Sequence, residues 1–184
     1  MARKEMITAE KLLDTAFVMT REEGFANVTA RKVAARAGCS TQPIFRVYKN
    51  MDELWNAVYE KAAGFFRDYY SLYPRTGKEP FCNLGMAYIA FARKEKHLFE
   101  LLFVGGGGDI SQKSMYELLN GDEGNVVYEI NLARVAGCAD PQALFMKMWI
   151  FIHGVACMTL TGDYDLSDVQ TLALLEDSYR AFSR

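Results

Sequence analysis

The chain has 184 residues, 51% of them apolar and 24% charged, with a formal net charge of −2. That composition excludes a disordered chain and suits a globular protein of one medium domain, or a small domain joined to a larger one. Only four prolines interrupt a sequence rich in helix formers, so an all-α fold is expected.

Charge is unevenly divided. Residues 1–50 carry nine Lys/Arg against five Asp/Glu, and the remainder carries 12 against 18. A basic N-terminal part on an acidic body suits contact with a polyanion at one end. The N-terminus shows no secretory signal, and no run of about 18 apolar residues suggests a membrane span. Cys39, Cys82, Cys138 and Cys157 lie 43, 56 and 19 residues apart. Without a Cys-x-x-Cys pair or a His cluster, they form neither a zinc site nor a disulfide framework. They read as four small buried side chains in a reducing cytoplasm. No metal, cofactor or membrane partner is expected.

A first helix is expected over residues 8–23. Leu12, Leu13, Ala16, Phe17 and Thr20 make an apolar stripe, with Thr8 as N-cap and Gly24 past the end. Phe25 turns back into a small core. A second helix follows Thr29 as N-cap, with Val33, Ala34 and Ala37 inward and Cys39 as a buried partner. It ends at Gly38, which supplies the left-handed turn. A third, of about eight residues, starts at Ser40 as N-cap. Pro43 falls in its first turn, and Ile44 faces inward with Val47 or Tyr48. A glycine turn between two short helices is the pattern of a helix-turn-helix, whose second helix fits the major groove of DNA.

Asn50 caps a fourth helix that runs through Leu54, Trp55, Val58, Ala62, Phe65, Phe66 and Tyr69 to about Leu72. Residues 73–80 hold two prolines and a glycine and mark a joint. The chain therefore divides into a helix-turn-helix part (1–50), a connecting helix (51–73) and a C-terminal part (74–184). A fifth helix is expected over 80–96, and a short helix or turn over 98–104. Four glycines at 105–108 form a loop. It lacks the Lys-Ser/Thr and the preceding strand of a phosphate-binding loop. A seventh helix spans 111–136 with a break at 121–124. Asp140-Pro141 starts an eighth, to about Leu160, and Ser167 or Asp165 caps a ninth, to about Phe182. No strand or internal repeat is found.

In the helix-turn-helix, the needed side chains are present. Gln42 can pair with adenine and Arg46 with guanine. Arg31 can reach a base or phosphate. Ser40, Thr41 and the N–H groups of the third helix can meet phosphate, while Tyr48 and Lys49 flank its exit. Arg3 and Lys4 form a basic arm. Paired carboxylates, a nucleophile with its base and metal-ligand spacing are all missing, which disfavours a helical enzyme.

Glu23-Gly-Phe25, the run from Val28 to Ser40 and the run from Ile44 to Leu54 resemble the N-terminal domain of the tetracycline-repressor (TetR) family in order, spacing and placement. The resemblance implies about nine helices, a ligand pocket in the C-terminal helices and a four-helix dimer interface from the last two. It also adds Phe45 to the DNA-contacting residues. Three positions depart from the family pattern. Met51 stands where the family usually has Lys, Phe45 where it often has Tyr, and Pro43 where it often has Ser or Thr. Lys49 is placed to take over the phosphate contact. Trp149-Ile-Phe-Ile-His-Gly154 is similar to a signature of one large subgroup.

The expected function is a ligand-responsive, sequence-specific DNA-binding regulator. It would be a homodimer on a near-palindromic operator, acting as a repressor released by a small, mostly apolar effector. Candidate pocket residues are Tyr88, Phe99, Phe103, Met115, Tyr116, Met146, Trp149 and His153. Candidate dimer residues are Met148, Ile152, Val155, Thr159, Leu172, Leu175 and Tyr179. The alternative is a helical protein-interaction module whose helix-turn-helix no longer binds DNA.

Overall fold

A computed structural model describes residues 7–105 and 113–184. The described residues form ten α-helices, a 3-10 turn at Phe25–Asn27 and a π turn at Glu100–Val104, with no strand among them. The helices are α1 Ala9–Glu23, α2 Ala30–Ala37, α3 Gln42–Val47, α4 Met51–Leu72, α5 Cys82–Lys94, α6 Lys96–Phe99, α7 Met115–Asn120, α8 Asn125–Val135, α9 Pro141–Thr161 and α10 Asp168–Phe182. The all-α expectation holds, and the break at 121–124 separates α7 from α8. The basic arm, most of the glycine run and the expected start of a helix at residue 111 lie outside the described residues.

The chain forms two compact units. The first groups Met1–Phe65 with His97–Gln112, and the second groups Phe66–Lys96 with Lys113–Arg184. The division differs from a cut at the proline-rich joint. It falls inside α4, and the segment from His97 onward belongs with the N-terminal helices.

In the first unit, α1 packs on α2 and α3. Thr8 caps α1 by accepting the Lys11 N–H. Leu12, Ala16, Val33, Ile44, Leu54 and Val58 are fully buried, which is the core that the apolar spacing predicts. The Trp55 indole donates to the Val28 carbonyl at 3.0 Å and fixes α4 to the entry of α2. His97 bonds the Arg21 carbonyl through Nδ1 at 3.1 Å, and its ring lies against Gly24.

In the second unit, α5 packs against α9 and α10, and α8 packs against α7 and α9. A Cβ on Gly85 would come 3.0 Å from methyl groups of both Ile152 and Leu175, so glycine lets these three helices close up. Phe81 precedes α5 at φ 66, a left-handed angle that a side chain rarely adopts. Its N–H donates to Glu129 Oε2 at 2.7 Å, where burial outweighs that bond and Arg75 and raises the carboxyl above its ordinary value. A charged residue on a mostly apolar helix gave no sign of this cap.

Two expectations change. Of the four cysteines only Cys82 is fully buried, and burial pushes its thiol up to about 12, while Cys39, Cys138 and Cys157 are half-exposed. α9 also carries apolar residues on its solvent side as well as its buried side, with Lys147 its one charged residue. Its 21 residues have the length and composition of a membrane span, though Leu144, Met148, Ile152, Val155 and Ala156 are packed inside the unit. With Leu175 and Tyr179 of α10, five of the seven candidate dimer residues (Met148, Ile152 and Val155 being the others) are core side chains. Thr159 and Leu172 are half-exposed. The solvent side of α9 carries Met146, Ile150, Gly154 and Met158 instead.

Candidate nucleic-acid interface

The turn between α2 and α3 is set by Gly38. At φ 72 it adopts the left-handed conformation, and the Gly38 and Cys39 N–H groups bond back to the Ala35 and Ala34 carbonyls. This closes α2 with the double hydrogen bond that glycine permits. Thr29 caps the other end of α2 by accepting the Lys32 N–H.

The start of α3 differs from the sequence reading. Its N-cap is Thr41, without a side-chain bond, and Ser40 is an exposed residue before it. With Ser40 as cap, Pro43 would occupy the third helical position, where the cap side chain needs an N–H that proline lacks. Shifting the start by one residue puts Pro43 second, and the Ile44 N–H bonds the Thr41 carbonyl at 3.1 Å. The helix has six residues rather than eight. Ile44 anchors it in the core, while Val47 is exposed and Tyr48 half-buried.

Arg31, Ser40, Gln42, Phe45, Arg46 and Lys49 are exposed, and Thr41 and Tyr48 are half-buried. Phe45 is 50% exposed, a large apolar ring in water beside Gln42 and Arg46. Such a ring suits a thymine methyl. Burial, and then the charge of Glu53, raises the Tyr48 hydroxyl, so it stays a protonated donor at neutral pH.

The ion pairing of the basic residues sorts them further. Arg36 is held by Glu22 and by Glu23 at 2.9 Å, Lys61 pairs with Asp14, and Lys32 donates to Asn27 at 2.6 Å. Arg21 lies 5.1 Å over the Phe65 ring. Among the described residues, the side chains of Arg31, Arg46 and Lys49 make no such contact. A cation whose charge is already met inside the protein gains little from a phosphate, so the idle ones are those left able to meet an anion. All three sit on or beside α2 and α3. Lys49 is held at the entry of α4, where its N–H donates to Glu53 and the Glu53 N–H donates to Asn50. Met51, two residues on, is half-buried and offers no charge.

The candidate pocket residues do not form one group. In the second unit, Tyr88, Trp149 and His153 come together. The Tyr88 hydroxyl meets His153 Nδ1 at 2.9 Å, its ring stands edge-on to Trp149 at 4.8 Å, and Trp149 stacks on His153 at 5.7 Å. Cys157 Sγ lies 3.5 Å from His153 Nε2. Burial keeps His153 below its ordinary value and so neutral. Phe99 and Phe103 pack on each other at 5.2 Å in the first unit. Met115 is half-buried, while Tyr116 and Met146 are exposed. None of the eight lines a described cleft.

Residues 12–58 match the family described as bacterial regulatory proteins, tetR family, and residues 81–182 match the tetracyclin repressor-like C-terminal domain. No curated protein matches the chain. Among solved structures, a TetR-like transcriptional regulator from Rhodococcus sp. RHA1 is 17% identical, with a TM-score of 0.64 over 96% of this chain and 97% of that one. A TetR family transcription regulator from Marinobacter aquaeolei VT8 is 16% identical, with a TM-score of 0.64 over 94% and 93%. The fatty acid degradation regulator FadR from Bacillus halodurans is 14% identical, with a TM-score of 0.58 over 98% and 96%. At these identities the structures show a common fold from end to end.

Proposed function

Because the chain belongs to the TetR family of bacterial regulatory proteins, we propose that it is a ligand-responsive repressor that binds a near-palindromic operator as a homodimer. The observation that carries this reading is the set of unpaired, exposed side chains on α2, α3 and the entry of α4. Gln42, Phe45 and Arg46 read base edges, while Arg31, Thr41, Tyr48 and Lys49 hold the backbone.

A six-residue recognition helix gives too few contacts for high specificity alone. A two-fold dimer doubles them and places the two helices in successive major grooves, about 34–36 Å apart. The outer side of α9 supports that assembly. Met146, Ile150, Gly154 and Met158 recur every four residues, so they form one stripe. A Cβ on Gly154 would meet nothing, which leaves room for the close approach of a second copy's helix. Among the described residues, Met146, Ile150 and Met158 are left exposed along this stripe.

The effector acts through α4, which contributes residues to both units. A small, mostly apolar molecule that favours one position of α4 changes the spacing of the two recognition helices. A differential affinity of a few kcal/mol between the two states is enough to release the operator.

Selection of bound fragments from a random DNA pool at physiological salt, followed by footprinting, tests the reading. Two protected half-sites one helical turn apart are expected. Weak binding with steep salt dependence and no enriched sequence would overturn it in favour of charge attraction alone.

A further inference from the structure

The Tyr69 hydroxyl is the one buried side-chain polar atom among the described residues that has no hydrogen-bond partner. Buried polar groups almost always have a partner, so this one points to a partner outside the chain. Tyr69 lines a cleft of ≈ 380 Å³ in the second unit, with Leu72, Tyr73, Pro74, Lys94 and Asp168. The size suits a small molecule.

The walls are apolar. The Tyr73 ring lies 5.9 Å from that of Tyr69, and Leu72 is 83% exposed at the mouth. The polar groups divide by whether they are already used. Asp168 is taken by Arg93 at 2.8 Å, and the other arm of Arg93 holds the Leu166 carbonyl and Thr171. Glu95, whose charge reaches the Tyr69 hydroxyl, is buried and partnered. Lys94 has no ion pair among the described residues, and its ammonium lies 6.0 Å over the Tyr69 ring. The carboxylates around the cleft are thus engaged, while the Lys94 ammonium meets only the Tyr69 ring and the Tyr69 hydroxyl has no partner. Both are donors.

We propose that this cleft binds a small aromatic monocarboxylate. Its ring packs against Tyr73, Leu72 and Pro74, and its carboxylate accepts from Lys94 Nζ and the Tyr69 hydroxyl. Burial, then the neighbouring Tyr73, Glu95 and Asp168, push that hydroxyl up to about 12, so it keeps its proton. The cleft borders the end of α4, which gives the effector a place and a charge. Only the consequence for DNA rests on the regulator reading; binding does not.

The test is a calorimetric titration of the full chain with benzoate in the absence of DNA, with benzamide and benzylamine as probes of the charge. Benzoate is expected to bind, benzamide about tenfold more weakly, and benzylamine not at all. Lys94→Gln is expected to weaken benzoate about tenfold, as a charged hydrogen bond is worth more than a neutral one. Tyr69→Phe keeps the ring and is expected to weaken it about fivefold, with the thermal midpoint unchanged or raised. No benzoate binding at millimolar concentration, equal affinity in both variants, or tighter binding of benzylamine would each overturn the proposal. If benzoate binds as expected and a selected operator is unaffected, the site stands and the effector reading falls.

Discussion

The helix-turn-helix and helix α9 make an instructive contrast. In α2 polarity separates cleanly, with Val33, Ala34 and Ala37 inward and Arg31 out; in α3 Ile44 goes inward and Gln42 and Arg46 go out, beside the exposed Phe45 and Val47. In α9 both sides are apolar, since Met148 and Ile152 are buried while Met146, Ile150 and Met158 face solvent. An amphipathic helix announces its buried side, and a helix apolar on both sides does not. The first region also exposes side chains that can act on a ligand, whereas the second exposes a surface that water does not favour.

The largest expected effect separates the two sides of α9. Ile150→Glu places a charge in the proposed interface, where burying it unpaired costs several kcal/mol. Sedimentation equilibrium should show dimer association weakened by about 100-fold or more, with the fold of each chain kept. An unchanged dimer would move the interface off this stripe. The inner side should respond through stability instead. Gly85→Val forces methyl groups into Ile152 and Leu175 and is expected to cost about 2–3 kcal/mol in denaturant unfolding. A neutral result would mean that the three-helix contact has slack.

A smaller effect concerns Glu129. Glu129→Ala leaves the buried Phe81 N–H without an acceptor and should cost about 1–3 kcal/mol. Glu129→Gln keeps an acceptor and removes a buried charge, so it should be near neutral or stabilising at pH 7. The sign follows from the raised carboxyl: the folded state binds more protons than the unfolded one, so wild-type stability falls as pH rises through the ordinary carboxylate range. That fall should be missing in Glu129→Gln.

The smallest is a pH effect at His153. Burial depresses this imidazole, so the folded state holds fewer protons, and stability falls as pH drops below the unfolded value of about 6.5. Comparing thermal midpoints at neutral and mildly acidic pH should show a decline that His153→Gln lacks. An identical decline in both proteins would put its origin elsewhere.

The same contrast explains what the sequence revealed. Caps at Thr8, Thr29 and Ser167, the left-handed turn at Gly38 and the Asp140-Pro141 helix start are local signals, and each is realised in the fold. The start of α3 shifted by one residue because Pro43 has no N–H for a Ser40 cap. What stayed hidden depends on distant partners. The Glu129 cap joins residues 48 apart, and the His97 contact with Arg21 joins residues 76 apart. The face of α9 turned to the core depends on where α5 lies. Ion pairing is also non-local: Arg31 and Arg36 are alike as residues on α2, and only the nearness of Glu22 and Glu23 to Arg36 tells them apart.

That last distinction gives the most direct test of the central claim, that the unpaired cations of the head read DNA and the paired one does not. On the operator found by selection, wild type, Arg46→Ala and Arg36→Ala are compared by fluorescence anisotropy against specific and scrambled DNA at one salt concentration. The account predicts that Arg46→Ala loses about 1–3 kcal/mol of specific binding per half-site, while Arg36→Ala stays within about threefold of wild type. Equal losses in the two variants, or none in Arg46→Ala, would contradict it.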